Sequence, residues 1–370
     1  MTLREPATLL AARLVYSMQW YVLAPVTLLM MQRYHAPVWL SGVLPFIFIV
    51  GAAATQLPGI AMSSRIGARN TFVLGLMILS LSDIAMSMAN NIVEAVILRF
   101  IAGLGTGLFF APAGYVLVSV SEAPSSWLMG LYNAAFNLGG FVAILWGLVY
   151  GALGVRAGLL AAGALGIAMS LVSLLAIKFN GRPSAFYGGS VPWRDLLLIG
   201  LAGSGAFGAS YALGSFLPSL ARLAFMRSPF GSGTLTSLNF VGAALGGALL
   251  LKVPAKLSSS RRFVVAAMLL STVSYLLLYT SSYYLFLTIV FINGLLVDLA
   301  FSSYYSYLVE SYGRSLSAVS LATINMINMV GSLWIFVAAG IALQKGLLLE
   351  TLVLAVANIV TVPAIYATRR

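Results

Sequence analysis

Residues 92–119 read IVEAVILRFIAGLGTGLFFAPAGYVLVS, an apolar run broken only by Glu94 and Arg99. At 1.5 Å per residue a helix of this length reaches roughly 40 Å, more than the ~30 Å of hydrocarbon in a bilayer. Backbone groups in lipid must be satisfied within the segment, so a run like this is a helix rather than a loop. Comparable runs recur at 8–31, 38–62, 71–89, 126–150, 154–178, 194–219, 231–253, 262–280, 282–307, 315–342 and 345–367. The whole chain of 370 residues is 61% hydrophobic and 8% charged, whereas a soluble domain carries about a quarter charged residues. The reading is an all-α integral membrane protein of about twelve transmembrane helices joined by short loops. The runs 262–280 and 282–307 are separated by only a few residues around Ser281, so eleven or thirteen spans also fit by length alone.

The net charge of +12 would raise nucleic-acid binding in a soluble protein. Here the bases are scattered at helix ends, with neither a basic face nor interleaved aromatics, which excludes a nucleic-acid groove. They report orientation instead. With the N-terminus inside, the cytoplasmic segments hold Arg4, Arg65, Arg69, Lys178, Arg182, Arg194, Lys252, Lys256, Arg261, Arg262, Arg314, Arg369 and Arg370; the other side holds Arg33, Arg156, Arg222, Arg227 and Lys345. That excess places both termini in the cytoplasm of a cell bearing the protein in its plasma membrane, and requires an even number of spans. Twelve is the count that fits. The start of the chain reads as an uncleaved first helix and not a signal peptide. The chain has no cysteine, so disulfides and thiolate metal sites are excluded; no metal site and no cofactor are expected, and His35 reads as a loop residue. Asn180-Gly-Arg-Pro-Ser-Ala-Phe-Tyr-Gly-Gly-Ser190 is rich in turn formers and reads as a linker. It separates an N-terminal six-helix bundle, 1–179, from a C-terminal one, 193–370, across a cytoplasmic linker at 180–192. Each half carries a basic cluster between its second and third spans. Two repeated six-helix halves are a common transporter plan, with the substrate site between them near mid-membrane.

Between the second and third spans stands Ile60-Ala-Met-Ser-Ser-Arg65-Ile-Gly67-Ala-Arg69. It resembles the loop signature G-x-L-x-D-R-x-G-R-R of the major facilitator superfamily (MFS), with Arg65, Gly67 and Arg69 in register. Ser64 replaces the acidic position and Gly59 falls one place early. The fourth span carries Arg99-Phe-Ile-Ala-Gly103-Leu-Gly105-Thr-Gly107, similar to the family's R-x-x-x-G-x-G; Gly103 and Gly107 share a face and let a second helix approach closely. Asn137-Leu-Gly139-Gly140 half-matches the antiporter signature G-P-x-x-G-G, but Ala135-Phe136 stands where Gly-Pro belongs, so antiport does not carry over. The resemblance implies the twelve-helix MFS fold, alternating access, and a gating loop at Arg65, Gly67 and Arg69.

Ionisable residues inside spans are costly and usually functional or paired. Arg13 is near enough to the start of the first span to snorkel to the surface. Arg99 is deeper and shares a face with Gly103, which suggests either an anion or proton-relay residue or a partner for Asp83. Asp298 is the deepest acid of the second half, on one face with Gly294, Ser302 and Tyr305; Asp298, and Asp83 after it, are the expected proton-coupling residues. Glu94, Glu122, Glu310 and Glu350 read as interfacial. Gln19, Asn133, Asn137, Asn239, Asn293, Asn325 and Asn328 fall at similar depth and, with Arg99 and Tyr211, form the expected substrate-binding set; Tyr16, Trp20 and Tyr305 would add aromatic walls. No nucleophile–histidine pair, metal-binding carboxylate motif or phosphate loop appears, so an enzyme is not expected and uphill transport would draw on an ion gradient. The expected function is secondary active transport of a small organic solute by a monomer, proton-coupled, with Arg99 favouring an anionic solute. Efflux of amphipathic drug-like compounds and uncoupled facilitation are the alternatives.

Overall fold

The structure is a computed structural model that describes residues 4–121, 125–183, 193–225, 234–250, 252–254, 257, 260–312 and 317–368. Every regular element among them is helical. The first crossing is built from two helices, α1 (Arg4–Tyr21) and α2 (Thr27–Arg33). There follow α3 (Val43–Ile66), α4 (Ala68–Met86), α5 (Ile92–Ser119), α6 (Ser125–Leu153) and α7 (Val155–Ala176). The second half comprises α8 (Trp193–Phe225), α9 (Leu238–Leu250), α10 (Arg261–Leu277), α11 (Tyr283–Tyr312), α12 (Ser317–Lys345) and α13 (Leu347–Val360). Among the described residues, ten crossings are long and apolar enough to span a bilayer; α9 and α10, described over 13 and 17 residues, are the two shorter ones. Large apolar side chains such as Val93, Leu175 and Leu277 point outward and exposed, as suits a lipid solvent.

Two expected helices are interrupted. The run 8–31 divides at residues 22–26, where Pro25 has no N–H to offer the Tyr21 carbonyl one turn earlier. Neighbouring groups satisfy the carbonyls loosened there. Val22 accepts from the Tyr150 hydroxyl at 2.9 Å, Trp20 from Arg99 Nη2 at 3.2 Å, and Leu23 from Thr27 Oγ1 at 2.8 Å. Irregular backbone at membrane depth survives only when such partners exist. The run 345–367 likewise changes after Val360 to a 3-10 turn, Val362–Ala367, at Pro363. Residues 184–192 of the expected linker lie outside the described residues, as do Glu122, Arg227, Lys256, Arg314, Arg369, Arg370 and the side chain of Glu310.

Helix pairing repeats six crossings later. In the first half α5 packs on α3 and α4, α4 on α7, and α1 on α6. In the second, α11 packs on α9 and α10, α10 on α13, and α8 on α12. The tightest approaches repeat as well. A Cβ at Gly103 would strike the Phe48 carbonyl of α3, and one at Gly294 would strike the Asn239 carbonyl of α9.

Gly67 turns the chain between α3 and α4 with φ +91°, a conformation that L side chains resist. The turn is clasped by the segment after α7: Ala68 N–H donates to the Gly181 carbonyl at 2.9 Å and Arg69 Nη1 to the Ile177 carbonyl at 3.0 Å. Arg65 points away and is exposed. Between the halves, α3 meets α12 and α6 meets α9. On the side opposite the termini the first contact is backbone on backbone. A Cβ on Gly42 would lie 3.1 Å from Gly340 Cα, and one on Gly340 would lie 2.7 Å from the Trp39 carbonyl oxygen.

Candidate functional site

A cavity of about 120 Å³ lies between the two halves at mid-molecule. Asp298 sits halfway along α11 and reaches across the divide: Asn137 Nδ2 of α6 donates to its Oδ1 at 3.1 Å, while Ser302 Oγ donates to Oδ2 at 3.3 Å. Ser302 is one turn further along the same helix, so the sequence itself provides that partner. Asn137 comes from the other half and depends on the fold.

The wall toward the termini is aromatic around one cation. Arg13 is 4% exposed, and its guanidinium carbon lies 4.2 Å from the ring centre of Tyr132, 4.6 Å from Phe136, 4.8 Å from Tyr16 and 5.1 Å from Phe110. The expected snorkelling does not occur. Arg13 lies nine residues beyond Arg4 and shares a face with Tyr16 and Trp20 that turns inward, so the guanidinium enters the cavity wall instead of reaching the surface.

The wall away from the termini is a cluster of rings contributed by both halves. Trp20 and Tyr211 stand 5.0 Å apart, Tyr21 and Tyr211 5.3 Å, Tyr21 and Phe240 4.9 Å, and Tyr211 and Phe336 5.3 Å. Their edge-on arrangement is the favoured one for aromatic pairs. All of them are buried, so the cavity is stopped on that side.

Of the expected site residues, Asn133, Asn137, Tyr211, Asn239, Asn325 and Asp298 line the cavity, as do the aromatics Tyr16, Trp20 and Tyr305. Gln19, Arg99, Asn293, Asn328 and Asp83 do not. Gln19 Nε2 joins α1 to α4 and α7 through Ser80 Oγ, 3.1 Å, and the Ala162 carbonyl, 3.2 Å. Asn293 donates to Ser274 Oγ at 2.8 Å and accepts from Asn239 at 3.2 Å. Asn328 Oδ1 accepts from Tyr304 at 3.4 Å. Arg99 lies behind the ring cluster, 4.1 Å above the Phe48 ring, and donates to the Trp20 carbonyl. Asp83 Oδ2 and Arg99 Nε and Nη1 have no hydrogen-bond partner, so the pairing considered for these two is not made through those atoms. Glu94 caps the start of α5 by accepting from Asn90 N–H and Asn91 Nδ2, both at 2.7 Å, close to the helix end as expected. Glu350 departs from expectation: it is 0% exposed, with neither carboxylate oxygen partnered, because its side of α13 packs inward onto α8, α10 and α12.

The sequence pattern of the Major Facilitator Superfamily matches residues 9–334. The chain belongs to the major facilitator superfamily. Two solved structures of this MFS fold, a bacterial homolog to the human lysosomal transporter Spinster in inward-facing unoccupied and occupied conformations, superpose with a TM-score of 0.69 at 16% identity, covering 99% of this chain and 96% of theirs. Such low identity speaks to fold alone. The multidrug efflux protein YfmO of Bacillus subtilis (strain 168) is 35% identical over 119 residues, which is 32% of this chain and 29% of that protein. The similarity thus spans under a third of either chain.

Proposed function

We propose that this MFS protein is a secondary transporter that carries a small organic solute through the central cavity by alternating access. The moving bodies are residues 1–179 and 193–370, linked at 180–192, in a monomer. The carrier sits in the plasma membrane with both termini cytoplasmic, so the cavity lies on the cytoplasmic side of its ring cluster. One observation carries the coupling mechanism: Asp298 of one half takes a hydrogen bond from Asn137 of the other. A carboxylate accepts that bond more strongly than a neutral carboxyl, so protonation weakens a contact between the two bodies that must separate. A proton gained on one side of the membrane and lost on the other then drives the solute. Asp83 lies away from the cavity, which leaves Asp298 as the coupling group.

The test uses purified protein in proteoliposomes. Asp298→Asn keeps solute counterflow but loses accumulation driven by a pH gradient; retention of gradient-driven accumulation would remove Asp298 from this role. If the wild type itself ignores a pH jump, the protein is an uncoupled facilitator. A second reading, efflux of amphipathic compounds, is favoured by the aromatic cavity wall and by the partial similarity to a multidrug efflux protein. Growth of expressing cells on toxic amphipaths separates export from uptake.

A further inference from the structure

We propose that Arg13 is the anion-recognition group of the cavity and that the solute is an amphipathic organic anion. Its charged head would meet the guanidinium and its apolar body would lie on the rings. This rests on the transport reading above and deepens it.

Arg13 is buried in a low-dielectric wall, and no carboxylate is hydrogen-bonded to it among the described residues. Nε and Nη1 have no hydrogen-bond partner. The acid on its own helix, Glu5, sits near the helix start and accepts from the Lys178 N–H at 3.3 Å. The acid within the cavity, Asp298, is held by Asn137 and Ser302. Four rings surround the cation, and their faces attract it electrostatically. Aromatic faces do not accept the in-plane N–H groups in the way an oxygen does, so the planar fork is left with donor capacity. That fork matches a carboxylate or phosphate, which can take two parallel N–H bonds.

The remainder of the cavity sets the other end of the solute. Phe136, Phe207 and Phe301 offer apolar surface, and Asn133 and Asn325 supply neutral polar groups. The 120 Å³ space compares with the roughly 150 Å³ cavity that holds benzene in an engineered protein core. A ring with one anionic group fits this scale, and a longer unbranched chain would have to extend beyond it. An organic cation would meet a like charge at Arg13, whereas Asp298 carries the opposite sign elsewhere in the same cavity, so the anionic head belongs at the Arg13 wall.

The experiment measures the melting temperature of the protein in lipid nanodiscs with matched pairs of probes. Phenylacetate is compared with phenethyl alcohol, and decanoate with decanol. A ligand that binds the folded state alone raises the melting temperature. The expected result is that the wild type responds to the acids more than to the alcohols. Arg13→Gln loses the acid response, corresponding to an affinity fall of about 10- to 100-fold for a lost charge-assisted hydrogen bond. Arg156→Gln, which removes an exposed arginine elsewhere, leaves the acid response intact. Arg13→Lys keeps the preference for acids but with weaker binding, and it serves as the decisive variant if Arg13→Gln does not fold. A response to phenylacetate marks a soluble solute, and a response to decanoate alone marks a lipid-derived one. Equal response to acid and alcohol, no response to any probe, or an acid response surviving in Arg13→Gln overturns the anion proposal. Phe136→Ala separates the two levels: if it leaves binding of every probe unchanged, the cavity is not the solute site and the transport reading loses its location.

Discussion

Glu350 illustrates what a single buried residue contributes. Its carboxyl is surrounded by α8, α10 and α12 with no donor to either oxygen. Polar groups buried without partners cost about 1–3 kcal/mol by mutational measures. Nothing in the central cavity uses this residue. Glu350→Leu therefore raises the melting temperature of the purified protein and leaves transport unchanged; a lower melting temperature would mean that the carboxyl has a partner, such as a lipid or a bound ion. The residue scale is also where the sequence was least legible. Asp298 and the pair Asn133 and Asn137 were readable from depth and from shared helix faces. Gln19, Asn293 and Asn328 have the same chemistry and depth, yet they bridge helices, because an amide that ties two helices and an amide that faces a cavity have identical local sequence. For Arg13, nearness to the start of the span suggests an escape to the surface, and the face it occupies decides otherwise. The clue was the i, i+3, i+7 spacing of Arg13, Tyr16 and Trp20, which puts the cation on the aromatic face.

The first crossing shows the same limits and strengths at the scale of an element. Its apolar length was legible and predicted a span; its division at Pro25 was not drawn from the run, although proline within a helix removes a hydrogen bond and clashes with the preceding turn. What the run could not reveal is how the loosened carbonyls are satisfied, since Tyr150 and Arg99 arrive from α6 and α5. The Tyr150 hydroxyl holds the Val22 carbonyl from 128 residues away. Tyr150→Phe preserves the ring and deletes that donor, leaving a buried carbonyl unpaired at an expected cost of about 1–3 kcal/mol. The measurement is the melting temperature of the variant beside wild type. An unchanged value would show that another donor reaches Val22 when the hydroxyl is gone. Arg99 belongs to this description as well: its bond to Trp20 makes it a clamp on the break, a role its position in the R-x-x-x-G-x-G stretch did not disclose.

Over the whole molecule, the twelve-helix plan was the most legible feature, since run lengths, the Lys and Arg bias and the loop signature all point to it. The repeated pairing of helices, down to the matched close approaches at Gly103 and Gly294, is what a duplicated six-helix unit produces. The contact between halves at Gly42 and Gly340 has a different character. It is made without side chains, so the halves fit there by the shape of the bare backbone, and nothing can be trimmed to make room. A methyl group at either position becomes a wedge. In a carrier with two states of comparable free energy, a wedge that acts in only one of them moves molecules into the other. Gly340→Ala is expected to deplete the closed arrangement on the side opposite the termini without touching the cavity. Single cysteines report this free of background, because the native chain has none. In Ser41→Cys, whose side chain is fully buried beside Gly42, adding Gly340→Ala increases the rate of labelling by a membrane-impermeant thiol reagent applied from that side. No increase would mean that the backbones separate easily and that the ring cluster alone holds the barrier. The smallest side chain in the protein would then act as a setting for how long the carrier rests with that door shut.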